Sequence, residues 1–230
     1  MWRESGWDFI GTNFCLSGPL RGEHSRMDRY SVDGSEGEFQ PGSDGLVLRN
    51  KLGLIDPLAI REAELELLLK LYRRVFKELG SDEPLSVAMI MEWHRRWLGN
   101  LYDWAGKERL VNVSKDGFTF AAARQIPCLL GEFERQQLAK LTPCQEMGKE
   151  SLVSAIAEVH VELILIHPFR EGNGRVARLV ADVMAHQAGF GELDYTPWDQ
   201  RKDKYFQAIQ VGMGREYGPM EELVRRALDA

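Results

Sequence analysis

Residues 151–166 form a segment that would be apolar on almost every face of a helix, and this segment limits the folds open to the 230-residue chain. Its β-branched end, VHVELILIH, would also suit a buried strand. About sixteen residues is too long for an ordinary strand but normal for a helix. A helix that is apolar on every face needs neighbours on every side, so we expect this segment at the centre of a helical bundle.

Further helices are predicted on both sides of this central segment. Asp56-Pro57 places a capping residue before a proline, which is typical of a helix start, and Gly80 marks the stop. A second helix is expected to begin at Ser86 and to end near Gly99. Helical spacing of apolar residues recurs at 126–141, 174–188, 202–213 and 219–227.

One β-hairpin is predicted between the second and third helices. Apolar runs at 110–114 and 118–120 flank Lys115-Asp116-Gly117, and Asp-Gly between two such runs indicates a tight turn. Because no third strand is predicted, we expect the hairpin to keep a free edge. The predicted fold class is all-α, a helical bundle with a small β-hairpin.

Composition separates an irregular leader from a single folded domain. Residues 1–47 are rich in Gly, Ser and charged residues and show no periodicity, whereas residues 48–230 carry the predicted elements. A hydrophobic content of 44% is enough to form a core over this length.

Charge and hydropathy exclude several classes of partner. The net charge of −6 argues against capture by nucleic acid or by an anionic membrane. No apolar run reaches the roughly 20 residues that span a bilayer, and no signal peptide is recognisable. The cysteines, Cys15, Cys128 and Cys144, lack the spacing of a metal site or a disulfide framework. We therefore expect a cytoplasmic protein.

The central helix runs into HPFREGNGRVAR, residues 167–178, where several kinds of functional group are concentrated. Pro168 should end the helix, and Phe169 should pin the following loop into the core. The next helix is expected to begin near Gly174, where unpaired N–H groups and the helix dipole form an anion site. Gly172 and Gly174 carry no side chains, so a phosphate can approach the backbone closely.

The remaining side chains of this segment suit a nucleotide polyphosphate and a reacting hydroxyl. Asn173 can donate an amide N–H to a phosphate, and Arg175 and Arg178, three residues apart, can bind further phosphates. One carboxylate, Glu171, together with phosphates and water is the usual environment of Mg²⁺. His167 is placed beside the anion site as a general base should be.

Each of these groups also has an ordinary structural explanation. A histidine at the end of an apolar helix is most often a core residue, Gly-Asn-Gly is usually a turn, and Glu-Arg pairs near helix starts are common on surfaces. No structural requirement calls for all of them at this spacing. The combination therefore favours a functional site.

The segment resembles the signature of the Fic (filamentation induced by cyclic AMP) family, H-x-F-x-[D/E]-[A/G]-N-[G/K]-R-x-x-R, at every specified position. Similarity extends to the lead-in at 50–57, to 101–107 with the hairpin after it, and to 215–220. It covers residues 48–228 and leaves out the leader. The resemblance implies a Fic-type helical bundle whose hairpin is a flap beside the active site.

The resemblance further implies a protein adenylyltransferase, which transfers AMP from ATP to a Ser, Thr or Tyr hydroxyl of a target protein and releases pyrophosphate. His167 would be the general base, and Glu171 would hold Mg²⁺. The residues that would bind the phosphates of ATP are Gly172, Asn173, Gly174, Arg175 and Arg178.

The hairpin would then dock the target protein. An extended target segment can add to the free edge through backbone hydrogen bonds, which would bring its hydroxyl near His167. The flap residues are Val113, Ser114, Lys115, Asp116, Gly117 and Phe118. The alternative is a hairpin that only covers the core.

Other functions and the mode of regulation stay open. The same site would suit a catalytically idle binding module, a deAMPylase, or transfer of phosphocholine or another nucleotidyl group. Gly174, where phosphate-transferring relatives carry lysine, favours AMP transfer. The inhibitory pattern of many members, [S/T]-x-x-x-E-[G/N], is incomplete, because Val159 follows Ser154-x-x-x-Glu158. Inhibition would come from a separate small antitoxin protein or from the leader.

Overall fold

The computed structural model describes residues 31–32, 38–115 and 117–229. Two sequence predictions therefore fall wholly or partly outside the described residues. They are the irregular character of residues 1–30 and 33–37, and the role of Asp116 at the tip of the hairpin.

The helices before the hairpin begin at the predicted caps. Helix α1 spans Pro57–Glu78, and Oδ1 of Asp56 accepts a backbone N–H of its first turn at 3.1 Å. Helix α2 spans Val87–Leu98, and Oγ of Ser86 accepts a first-turn N–H at 3.2 Å. Both starts are confirmed, since a side-chain oxygen satisfies a donor that the helix leaves unpaired.

A helical segment with an irregular middle follows the hairpin. A 3₁₀ turn at Ala123–Gln125 leads into α3 (Ile126–Phe133), a π-helical turn (Glu134–Leu138) and α4 (Ala139–Leu141). The sequence predicts a single helix over 126–141. The observed segment has these bounds, but its backbone is widened by the π-helical turn.

Helix α5 (Lys149–Ile166) is the centre of the bundle, as predicted. It packs against α6 (Asn173–Gln187) and α9 (Gly218–Leu228). Its buried residues cover most of the circumference: Leu152, Val153, Ala155, Ile156, Ala157, Val159, His160, Val161, Leu163, Ile164 and Ile166. Exposed or half-buried residues form one stripe, so the expectation of burial on every face is wrong there: Ser151, Ser154, Glu158, Glu162 and Leu165. The hydrophobic core of the protein is therefore built around the helix that leads into the motif.

The last helices complete the bundle, and one of them is not predicted. Helix α7 (Thr196–Gln200) is a single short element, too brief to show a helical period in the sequence. Helix α8 spans Lys202–Gly212 and packs with α9 and α5. Among the described residues, no helix is both long and apolar enough to cross a bilayer.

The sheet that contains the hairpin has three strands, whereas the sequence predicts two. Strand β2 (Val113–Lys115) pairs antiparallel with β3 (Phe118–Thr119). Strand β1 (Ser31–Val32), from the leader, pairs antiparallel with β2, which gives the order β1-β2-β3. The expectation that the hairpin lacks a third partner is therefore wrong for the edge of β2. A two-residue strand is too short to show alternation in the sequence.

The described end of the leader also joins the core. Phe39 forms an antiparallel bridge with Leu48, and both Val47 and Leu48 are buried in the main hydrophobic cluster. The predicted division between residues 47 and 48 therefore passes through a packed segment.

Candidate active site

His167 follows α5 directly and caps that helix in the left-handed conformation. Its φ of 52° and ψ of 58° lie in a region that non-glycine residues rarely adopt, at a cost of about 1–3 kcal/mol. Its backbone N–H donates to the carbonyl of Leu163 at 3.0 Å. The helix therefore ends just before Pro168, as predicted.

The hydrogen bond of Nδ1 fixes the tautomer of His167. Nδ1 lies 3.1 Å from the carbonyl oxygen of Ile164, which can only accept a hydrogen bond. In the neutral ring Nδ1 therefore carries the proton, and Nε2 carries the lone pair. This is the tautomer that can take a proton from a hydroxyl.

The flap covers His167. The rings of Phe120 and His167 stack with centroids 3.7 Å apart. The backbone N–H of Ala121 donates to Leu165 at 3.2 Å and holds the hairpin against the end of α5. His167 is only 2% exposed, and this burial lowers its pKa to about 3, so the ring is neutral at pH 7.

Asn173 braces the motif loop. Its Oδ1 accepts from the backbone N–H of Phe169 at 2.9 Å, and its Nδ2 donates to the carbonyl of the same residue at 2.8 Å. Both residues are buried, which agrees with the expected anchoring of the loop by Phe169. In this structure the side chain of Asn173 thus holds the loop, and its expected bond to a phosphate stays a prediction.

His94 on α2 supports the same loop and was not singled out from the sequence. Its ring stacks on Phe169 with a centroid distance of 3.7 Å. Gly106 donates its N–H to Nδ1 at 2.8 Å, so Nε2 carries the proton and donates to the carbonyl of Glu171 at 3.0 Å. Burial lowers the pKa of His94 to about 4, which keeps the ring neutral at pH 7.

The two motif glycines have different roles. A Cβ on Gly172 would lie 2.7 Å from a ring carbon of Trp97, and the backbone there has a φ of 87°. Trp97 therefore fills the Cβ side of Gly172, so packing requires a glycine there, and the binding of a phosphate to its backbone stays a prediction. A Cβ on Gly174 would meet no described atom within 4 Å, so the open approach to the start of α6 lies there.

The carboxylate of Glu171 lies against the start of α6. Its Oε1 accepts from the N–H of Gly172 at 2.8 Å and is 3.5 Å from Nη2 of Arg175. The side chain is half-buried, with its remaining surface open to solvent. No three side chains among the described residues form a metal-ligating cluster. A divalent ion at Glu171 would therefore take its other ligands from phosphate and water, as Mg²⁺ usually does.

Arg175 is held by a buried carboxylate from α1. Its Nη1 lies 2.8 Å from Oε2 of Glu64, and its guanidinium lies 4.5 Å from the ring centroid of Trp97. Glu64 is 7% exposed and also accepts from the hydroxyl of Tyr102 at 2.7 Å. This network orients Arg175 towards α1 and fixes the start of α6.

Arg178 is paired with Asp199 of α7. Its Nη2 is 2.6 Å and its Nη1 3.4 Å from the two carboxylate oxygens, which is a forked contact. The guanidinium also lies 4.7 Å from the ring centroid of Tyr195. The structure thus brings both motif arginines to the first turns of α6, each already matched to a carboxylate.

The predicted flap residues lie beside this site. The side chain of Val113 is buried, those of Ser114 and Phe118 are half-buried, and Gly117 forms the turn with a φ of 79°. Nζ of Lys115 lies 5.4 Å from the ring centroid of Phe206 on α8. The hairpin therefore bridges the end of α5 and α8.

These features define a helical bundle in which a buried histidine adjoins a helix N-terminus flanked by a carboxylate and two arginines. Residues 84–185, which include α2, the flap and the motif, match the model of the Fic/DOC family. The chain is therefore similar to this family over the segment that carries the candidate site, which is a little under half of its length.

Two curated relatives and one solved structure illustrate the similarity. Protein adenylyltransferase VbhT of Bartonella schoenbuchensis is 30% identical over 88% of this chain, which spans only 41% of that relative. The probable protein adenylyltransferase y4lH of Sinorhizobium fredii is 25% identical over 79% of this chain and 91% of its own length. The crystal structure of BepC from Bartonella tribocorum, with bound AMPPNP, has a TM-score of 0.63 at 22% identity and covers 78% of this chain and 91% of its own. The solved structure supports the fold.

Proposed function

We propose that this protein is an adenylyltransferase that moves AMP from ATP to a Ser, Thr or Tyr hydroxyl of a target protein. The observation that carries this proposal is the neutral His167, with its lone pair on Nε2, one short loop before the N-terminus of α6. The names of VbhT and y4lH support the same activity, and the AMPPNP bound to BepC supports a nucleotide as the ligand.

The proposed reaction uses the groups of the motif in a fixed order. His167 accepts the proton of the target hydroxyl as its oxygen forms a bond to the α-phosphorus of ATP. The bond from the α-phosphorus to the β-bridging oxygen breaks, and pyrophosphate leaves. The backbone N–H groups at the start of α6 bind phosphate oxygens, with Gly174 leaving the approach open. Arg175 and Arg178 offset the charge of the outer phosphates.

Mg²⁺ fits the donor set at the mouth of this site. The half-buried carboxylate of Glu171 is beside the helix N-terminus where phosphates are proposed to bind. A bound Mg²⁺ would offset phosphate charge. The proposed role of Glu171 is to hold that ion. The hydrogen bond from the N–H of Gly172 keeps the carboxylate of Glu171 at the start of α6.

Glu171→Ala is expected to raise the Mg²⁺ concentration for half-maximal transfer about tenfold, because the ion loses its protein ligand. The measurement is a titration of AMP transfer with Mg²⁺ at saturating ATP, with excess chelator as the zero point. Glu132→Ala, an exposed carboxylate on α3, is the matched control and should leave the titration unchanged. Full activity in excess chelator would remove the metal from the proposal.

Target docking on the flap requires an exchange of strands. In an antiparallel pair, successive residues direct their backbone groups to opposite sides. The carbonyl of Val113 accepts from Phe120 within the hairpin, so Ser114 directs its groups to β1. We propose that an extended target segment takes the place of β1 on this edge.

A proline at Ser114 is therefore a sharper test of docking than one at Val113, whose carbonyl bonds within the hairpin. Ser114→Pro removes a donor from the outer edge of β2 and is expected to reduce transfer to a protein target about tenfold. Ser114→Ala is the matched control and keeps the donor. Transfer to the target and ATP binding are measured in parallel. A loss of both together would make the flap a structural element only.

Two further expectations belong to the same proposal. The protein would act in the cytoplasm, and a separate small protein would inhibit it, since the inhibitory pattern is incomplete in the sequence. An inhibitor that binds Arg178 would have to do so beside the ion pair of Arg178 with Asp199.

A further inference from the structure

We infer that Arg109 is a positioning residue for His167, because it ties the base of the flap to the backbone that carries the imidazole. The inference rests on the proposed role of His167 as the general base. It concerns a residue outside the motif that no sequence pattern marks.

The guanidinium of Arg109 is buried and donates to carbonyls of separate segments. Nε donates to His167 at 2.7 Å, Nη1 to Val111 at 2.6 Å and Nη2 to Ala121 at 2.6 Å. Arg109 itself is only 2% exposed. Because the donors of arginine are fixed in one plane, these bonds set the positions of the three acceptors relative to each other.

The first contact supports the end of α5. The last carbonyls of a helix have no helical partners, and a cation there is also favoured by the helix dipole. A longer contact of 3.4 Å joins Nη2 to Ile166. The backbone N–H of Arg109 donates to Pro168 at 2.8 Å. Arg109 therefore holds three consecutive carbonyls around the left-handed turn at His167.

The other two contacts hold the flap. Val111 precedes β2, and Ala121 follows β3, so Arg109 closes the base of the hairpin. Phe120, beside Ala121, is the residue whose ring stacks on the imidazole. Arg109 thus fixes both the backbone of His167 and the ring that covers it. A displacement of about 1 Å at a reacting group can cost about 10²-fold in rate.

Charge and geometry can be separated by two substitutions. Arg109→Lys keeps the positive charge but lacks the planar fork, and Arg109→Gln keeps two donors without the charge. If the fork positions the imidazole, both variants should lose about 10²-fold in kcat, with the KM for the target and the Kd for ATP changed less than about threefold.

Gln187→Leu is the matched control for a general loss of packing. Gln187 is 5% exposed, lies at the opposite end of α6 from the motif, and donates to the carbonyl of Glu83 at 2.8 Å. Its replacement should lower Tm without a change in kcat when each protein is assayed well below its Tm.

A direct readout is the NMR signal of the His167 ring in protein with labelled histidine, assigned by its loss in His167→Ala. The stacked Phe120 ring should shift this signal, and both Arg109 variants should reduce the shift.

The inference would be overturned by a retained kcat in Arg109→Lys, which would show that the charge of Arg109 matters and its planar fork does not. A fall in kcat of Gln187→Leu in proportion to Tm, or an unchanged ring signal in the Arg109 variants, would also overturn it. Absence of transfer by the unmodified protein would instead contradict the proposed function, and the ring signal would still test the placement.

Discussion

His167→Ala is expected to lower AMP transfer by about 10²–10⁴-fold while the affinity for ATP changes little. The imidazole is assigned to proton removal from the target hydroxyl, and a positioned base contributes a factor of this size. The loss should appear in kcat, because the nucleotide contacts are assigned to the start of α6. Labelled ATP with a target protein measures transfer, and calorimetry measures ATP binding.

The matched control for this substitution is His160→Gln on the same helix. His160 is equally buried, and its ring lies 2.9 Å from the hydroxyl of Tyr205 and 3.3 Å from the carbonyl of Ala177, within the core. Its replacement should retain transfer. If His167→Ala kept more than about a tenth of the activity, the assignment of the base would be wrong.

Acidification from pH 6.5 to 5.5 is expected to lower the free energy of unfolding by about 2 kcal/mol. Burial lowers the pKa of His94 to about 4 and the pKa values of His160 and His167 to about 3. In the unfolded chain each has a pKa near 6.5. The unfolded chain therefore binds more protons below pH 6.5, and stability is lost as the pH falls through that value.

Asp182 opposes this effect in part. Burial raises its pKa to about 7, above the unfolded value of about 3.9, even though Tyr72 and Tyr195 donate to its carboxylate. In this pH range the folded protein thus holds most of one proton at Asp182, whereas the unfolded chain holds almost none, so this group favours folding as the pH falls. Averaged between pH 6.5 and 5.5, the unfolded chain binds a little more than one proton in excess of the folded protein, which gives the stated loss of about 2 kcal/mol.

Urea unfolding at pH 6.5 and 5.5, at constant ionic strength, measures this effect. His160→Gln removes one of the three histidines and should reduce the loss to about 1 kcal/mol. Stability that is unchanged or higher at pH 5.5 would show that the buried histidines do not exclude protons in the folded state.

Elements with a long period or a local cap could be predicted from the sequence. The apolar stretch of α5, the caps at Asp56 and Ser86, and the Asp-Gly turn each depend on residues close together in the chain. Strand β1 could not be predicted, because its partner β2 is about eighty residues away and two residues carry no pattern.

In the candidate site, too, the residues that are close together in the chain could be predicted and their distant partners could not. The motif supplies its own residues within twelve positions, but the groups that hold them come from distant elements: Glu64, His94, Arg109 and Asp199. Of these four residues, only Glu64 could have been noticed in the sequence, because it lies on the apolar stripe of α1 between Ile60 and Leu68. A carboxylate on a buried face requires a partner, although the sequence does not say which one.

If a target segment docks on the edge of β2 as proposed, strand β1 competes with it from within the same chain. A segment tethered to its own binding site acts at an effective concentration that reaches the millimolar range for short flexible tethers. A free peptide that pairs with the edge of β2 only weakly would therefore fail to displace it at ordinary concentrations. A folded target that makes additional contacts with the domain raises its own local concentration in the same way. Selectivity for whole proteins over short peptides would follow without a sequence motif in the modified segment.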